Sequence, residues 1–163
     1  WFKNTLFVIT ADHATLSEFP EYQTAWGGLS VPIIFYHPGD SSLAKTDHAV
    51  IQQIDIMPSI LSYLNYKGKI VAYGEDIFKG PGKNFAASYM NGFQWIQDNY
   101  LLQFDGQKPT ALYDYVNDRL LKTDLRERLP QKADSMVLQM KAFIQQYHNR
   151  LVSDRLLPNE AGP

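Results

Sequence analysis

Thr5-Leu-Phe-Val-Ile-Thr10 constrains this chain more than any other stretch. The run is apolar and β-favouring, without the strict alternation of a half-solvated strand. It therefore reads as a strand covered on both faces in an α/β sheet. Val31-Pro-Ile-Ile-Phe-Tyr36 repeats that character, with Pro32 near its start, where a missing donor is tolerated, and His37-Pro38-Gly39-Asp40 ending it. The loop between, residues 14–30, is polar and aromatic and contains Gly27-Gly28. In a parallel sheet, loops leaving the strand C-termini build the ligand crevice. Next, residues 51–64 place Ile54, Met57, Ile60, Leu61 and Leu64 at helical spacing. Asp55 is the expected N-cap, and Pro58 falls in the first turn, where its missing N–H costs little.

From about residue 85 the texture changes. Phe85 to Met90, then Asn91-Gly92, then Phe93 to Ile96 form a strong hairpin signal. Tyr100–Phe104 and Ala111–Tyr115 follow, each ending in turn residues, as strands of a small antiparallel meander. A last helix is expected over 134–152, with Met136, Met140, Phe143, Tyr147 and Leu151 on one stripe and Asp134 or Ser135 as its cap. The chain beyond Leu157 reads as a frayed tail. Lys79-Gly-Pro-Gly-Lys-Asn84 reads as a linker. The expected division is an α/β part over 1–82 and an antiparallel subdomain with closing helix over 83–163.

The chain has 163 residues, 45% of them hydrophobic, enough for a sizeable core. A net charge of −2 with scattered Lys and Arg argues against nucleic acid as a partner. With no cysteine there is no disulfide framework, thiolate zinc site or cysteine nucleophile. No apolar stretch spans a bilayer. Trp1-Phe2-Lys3 runs almost at once into the first strand, without initiator Met or leader, and so reads as a piece of a longer chain.

Asp12 and His13 are the leading candidates for chemistry. A carboxylate and an imidazole bind zinc, manganese or iron, and the carboxylate also suits calcium. At the end of a buried strand both would reach the crevice on a stiff connection. Read alone, the pair is more simply a local turn with a solvated neighbour. Trp26 could stack on an organic group or simply pack. His37 could line the crevice or end its strand, and His48 reads as solvated. The aromatic residues at 93, 95, 100, 113 and 115 are expected in the core.

The ordered series widens this reading: Thr5 to His13, Ser30 to Asp40, Gln53 to Leu64, Gly74-Glu-Asp-Ile-Phe78, Ala111 to Asp118 and Thr123-Asp-Leu125. It resembles the C-terminal half of the sulfatase and phosphoglycerol-transferase branch of the alkaline phosphatase superfamily, which includes lipoteichoic-acid-synthase-like enzymes. The resemblance implies a partial alkaline-phosphatase-like sheet with covering helices, then the antiparallel meander and C-terminal helix. It implies that Asp12 and His13 are two ligands of an active-site divalent metal (Mn, Zn or Ca), with a transition metal favoured by the imidazole. The Leu112-Tyr113-Asp114 segment is more like the sulfatases, so the two signals pull apart. Implied partners are a sulfate- or phosphate-ester substrate and the upstream half of the same polypeptide, which would carry the nucleophile. No catalytic residue is therefore assigned within the chain, and alone it is expected to be inactive and to bind metal weakly. The parent is expected in a bacterial cell envelope, touching a membrane only through that upstream region. Many sulfatases carry a basic residue shortly before the second strand; here Trp26-Gly-Gly-Leu-Ser30 has none. The class opposed to this reading is a non-catalytic α/β interaction module.

Overall fold

A computed structural model describes residues 1–14, 18–80, 85–89 and 92–158. Strand β1 (Phe7–Thr10) and strand β2 (Ile33–Tyr36) form a two-stranded antiparallel sheet, with Phe7 opposite Tyr36 and Thr10 opposite Ile33. The sequence had suggested a parallel, doubly covered strand, and the structure corrects this. An apolar β-branched run dictates extended backbone, but strand direction is set by the connection. Here residues 11–32 return as 3-10 turns, at Pro20–Gln23 and Gly27–Leu29 among the described residues, without a crossover helix. Coverage is also one-sided. Phe35 meets Phe78 at 5.2 Å between ring centroids. On the opposite face Ile9, Ile34 and Tyr36 are exposed, and Trp1 and Phe2 lie against Phe7 and Tyr36 at its end.

Helix α1 (Ile56–Tyr63) is shorter than its apolar stripe because Gln53–Asp55 tighten into a 3-10 turn. Asp55 does occupy the N-cap position, yet its carboxylate bonds elsewhere. Oδ2 accepts from Gln52 N–H at 2.8 Å, and Oδ1 accepts from Glu75 N–H at 2.8 Å. Buried Ser59 completes the join, donating to the Asp55 carbonyl and accepting from Ile77 N–H at 3.1 Å. Segment 74–77 is thus laced to the start of α1. Gly74 makes this approach possible, since a Cβ there would stand 2.1 Å from the Ile54 carbonyl oxygen.

Strands β3 (Phe85–Tyr89), β4 (Phe93–Gln97), β5 (Tyr100–Phe104) and β6 (Pro109–Asp114) form the expected antiparallel meander. Trp95, Leu102 and Leu112 stand side by side across three strands. Helix α2 (Pro130–Val152) buries Ala133, Met136 and Met140 against them. It starts a turn earlier than expected. Pro130 at the first helical position supplies a preset φ and lacks an N–H that would be orphaned anyway. Asp134 and Ser135 therefore lie inside the helix, exposed, and cap nothing. Tyr147 and Leu151, farther along the stripe, are exposed. Phe93, Trp95 and Tyr100 join the core under α2, whereas Tyr113 lies outside that cluster and Tyr115 turns to Trp26. The tip of the first hairpin (Met90, Asn91), most of the linker (81–84) and the end of the tail (159–163) lie outside the described residues.

Two side-chain amides tie the meander to the segments before it. Gln52 pairs with the open edge of β3 as a strand would, donating to Phe85 O at 3.2 Å and accepting from Ala87 N–H at 3.1 Å. Gln94 reaches back to Ala25 O at 3.3 Å. The result is a mixed α/β architecture of two antiparallel sheets with a C-terminal helix.

Candidate functional site

β1 ends at Thr10, and the next residues turn out of the sheet because Ala14 N–H is taken by Gly28 O at 3.0 Å. Gly27 makes that loop possible. It is buried, and a Cβ would lie 2.0 Å from the Glu21 carbonyl oxygen. The turn leaves Asp12 and His13 side by side and open to solvent, their side chains 87% and 66% exposed.

Within the pair the hydrogen bonds fix roles. His13 Nδ1 stands 2.8 Å from the Ala14 carbonyl oxygen, which can only accept, so Nδ1 carries the proton. In the neutral ring Nε2 then keeps its lone pair, 3.4 Å from Asp12 Oδ2. Asp12 Oδ1 accepts from His13 N–H at 2.9 Å, leaving Oδ2 to face the imidazole. Two donors each about 2.1 Å from one ion, at a tetrahedral angle, stand about 3.4 Å apart. The donor pair fits a divalent metal in chemistry and in spacing. No group of three or more His, Cys, Asp or Glu suited to a metal occurs among the described residues, so a metal held here would need further ligands beyond the pair.

Gln53 is the residue that sequence reasoning missed. From the turn before α1, its Nε2 donates to Ala11 O at 2.6 Å and lies 3.4 Å from Asp12 O. It thus ties the backbone carrying Asp12 and His13 to the Asp55–Ser59 lacing. A polar residue ahead of a helix gives no signal of such a role, because the contact spans 42 positions in the chain.

A cleft of about 1240 Å³ opens between the two sheets, with Asp12 and Trp26 both on its wall. Trp26 is half-buried and packs edge-on against Tyr115, ring centroids 4.9 Å apart. Tyr115 lines the same cleft, and burial raises its phenol pKa, with Asp114 and Asp98 adding to the effect. His48 is exposed on the cleft wall, whereas His37 does not line it. His37 Nδ1 accepts from Gly39 N–H at 3.0 Å, closing its own turn. Asp12 and Trp26 thus share the cleft wall, while His13, beside Asp12, is not among its lining residues and His37 stands apart. Asp55 also borders the cleft, but both its oxygens are engaged; burial raises its carboxyl pKa against the two backbone N–H bonds that lower it.

The sulfatase family model matches residues 2–66, the span that carries β1, Asp12 and His13, β2 and α1. Residues 2–66 are thus sulfatase-like in sequence. The fold extends the likeness over most of the chain's length. Ps i-CgsB in complex with k-i-k-neocarrahexaose superimposes with a TM-score of 0.68 at 19% identity, covering 87% of this chain and 37% of that one. A second structure of Ps i-CgsB gives 0.68 at 18% identity, with the same coverage. A protein in the alkaline phosphatase superfamily from Vibrio parahaemolyticus gives 0.60 at 18%, covering 90% and 36%. The chain thus spans little more than a third of the length of these structures. No curated protein matches it. The fold is similar to those of these structures over most of the chain, and the stretch matched by the sulfatase model ends three residues beyond α1.

Proposed function

We propose that the sulfatase-type segment supplies part of the metal centre of an ester hydrolase acting on sulfate esters, with phosphate esters as the neighbouring class. The observation that carries this is the 3.4 Å approach of Asp12 Oδ2 to a His13 Nε2 whose lone pair is left free by the Ala14 bond. Asp12 Oδ2 and His13 Nε2 would hold the metal. Bound there, a divalent ion would neutralise the anionic ester and lower the pKa of an attacking group. The chain's own residues prepare the ligands. The Ala14 carbonyl fixes the imidazole tautomer, as outer-shell acceptors do for metal-bound histidines. Gln53 holds the backbone on which both ligands ride. Imidazole ligation favours manganese or zinc over calcium. Trp26 and Tyr115 offer an aromatic wall for the ester's organic part, and the k-i-k-neocarrahexaose complex of Ps i-CgsB supports a saccharide as that part. The nucleophile and the remaining ligands are proposed to come from elsewhere in the polypeptide, with the whole enzyme in a cell envelope.

Thermal unfolding of the chain with Mn²⁺, Zn²⁺ or Ca²⁺ tests this. Ligand at about 100 times its Kd stabilises by about 2.7 kcal/mol, which is roughly 5–10 °C for a domain of this size. Mn²⁺ or Zn²⁺ should raise the midpoint more than Ca²⁺, and Asp12→Asn or His13→Gln should remove the rise. A response unchanged in both variants would refute the assignment. The isolated chain should not turn over an aryl sulfate; metal-dependent turnover that survives purification would sink the idea of a shared site.

A further inference from the structure

Lys69, Arg150 and Arg155 are scattered in sequence, but the fold lines one groove with them. The groove, about 850 Å³, runs between residues 69–71 and the last turns of α2. Among the described residues no carboxylate lines it; its other polar walls include the side-chain amides of Gln145, Gln146 and Asn149. None of the three cations forms an ion pair among the described residues. A groove carrying three positive charges on a chain of net charge −2 is a local concentration against the overall sign.

The arrangement is held in place by the way α2 ends. Ser153 N–H donates to Asn149 O at 3.1 Å, Asp154 takes a left-handed φ of 52°, and Arg155 N–H donates to Arg150 O at 2.8 Å. This doubles the chain back and sets Arg155 beside the helix. Arg150 Nη1 donates to Arg155 O at 3.2 Å, anchoring the guanidinium by one of its five N–H groups. The helix C-terminus offers about half a negative charge, too little to balance three cations.

We propose that this groove is a second anion site, separate from Asp12 and His13, that takes a sulfate or phosphate monoester group on a hydroxylated carrier. A guanidinium fork matches two oxygens of a tetrahedral oxyanion, and lysine adds a point charge. Side-chain amides supply donors and acceptors for hydroxyl groups. Among the described residues no aromatic ring lines the groove, so they offer no stacking platform of the kind by which single-stranded nucleic acid is held. Only the choice of a sulfated probe rests on the proposed function; the charge and shape of the groove do not.

The test is an amide-resolved NMR titration of the whole chain with a sulfated disaccharide, its phosphorylated counterpart, the unmodified disaccharide and a single-stranded oligonucleotide. The sulfated or the phosphorylated sugar should shift the amides of Gln145, Asn149 and Arg150 saturably, and whichever binds tighter identifies the ester. In Lys69→Gln/Arg150→Gln the Kd should rise by about tenfold or more. Exposed Lys69→Gln alone, which leaves α2 untouched, should raise it several-fold. Asp12→Asn should leave it unchanged while removing the metal response, so each reading can fail without the other. Equal binding of the unmodified sugar, no saturable shift at these residues, tighter binding of the oligonucleotide, or indifference to both charge removals would overturn the site.

Discussion

Gly74→Ala tests the lacing that supports the ligand pair. The new Cβ would stand 2.1 Å from Ile54 O, 2.4 Å from Ile54 C and 2.6 Å from Asp55 N. All three are backbone atoms of the turn before α1, so no side chain can swing aside. Segment 74–77 must lift, and two hydrogen bonds go with it: Glu75 N–H to the Asp55 carboxylate and Ile77 N–H to Ser59 Oγ. A bond to a charged acceptor contributes about 1.5–3 kcal/mol and a neutral one about 0.5–1.5. Against that, replacing glycine stabilises by about 0.4–1 kcal/mol through the unfolded chain. The net expectation is a loss of about 2–3 kcal/mol, read by urea unfolding followed by circular dichroism. Gly28→Ala is the control, because a Cβ there meets only Tyr22 O, at 3.8 Å; it should be neutral or slightly stabilising. The disturbance also reaches Gln53, so the metal-induced midpoint rise should shrink in Gly74→Ala. A loss below about 0.5 kcal/mol, with Glu75 amide exchange unchanged, would refute the reasoning.

Other perturbations separate packing, titration and ligand support. Met136→Ala removes a side chain of zero exposure between α2 and the meander and should cost about 2–5 kcal/mol by urea unfolding. Asp124 and Asp55 should respond oppositely to pH. Burial alone would raise the Asp124 carboxyl, but bonds from Arg126 and Leu112 hold it below its ordinary value. Its contribution is present above the unfolded pKa of about 3.9 and lost as pH falls through the folded value. Asp124→Asn should therefore destabilise at pH 7 and progressively less under acid. The Asp55 pKa is raised by burial, so its protonated form is relatively favoured in the fold, and stability from that source is lost as pH rises through the folded value. The destabilisation by Asp55→Asn should accordingly vary with pH in the opposite sense in parallel melts. Gln53→Ala should weaken metal affinity by roughly tenfold, as loss of a ligand-supporting contact does. An unchanged titration midpoint would show that Gln53 does not position the pair.

Much of the second half was legible in the sequence. The texture of Phe93 to Tyr115 gave strands that the structure keeps within a residue or two, because turn residues and apolar runs act locally. The start of α2 was not read correctly, since Asp134 looks like a cap whereas the helix begins a turn earlier, with Pro130 at its first position. At the site, Asp12 and His13 were legible as ligand types at the end of a strand. The tautomer was not, because it depends on which carbonyl His13 Nδ1 reaches.

By itself the sequence determined which residues are extended, which are helical, and that an acid and an imidazole sit together after the first strand. These follow from propensity, periodicity and side-chain chemistry, which act over a few residues. Only the tertiary structure decided that β1 and β2 run antiparallel, that Gln53 holds the turn of Asp12 and His13, and that Lys69, Arg150 and Arg155 meet in one groove. Each depends on contacts between residues far apart in the chain. Such contacts are selected by how whole elements pack, and no local pattern encodes them.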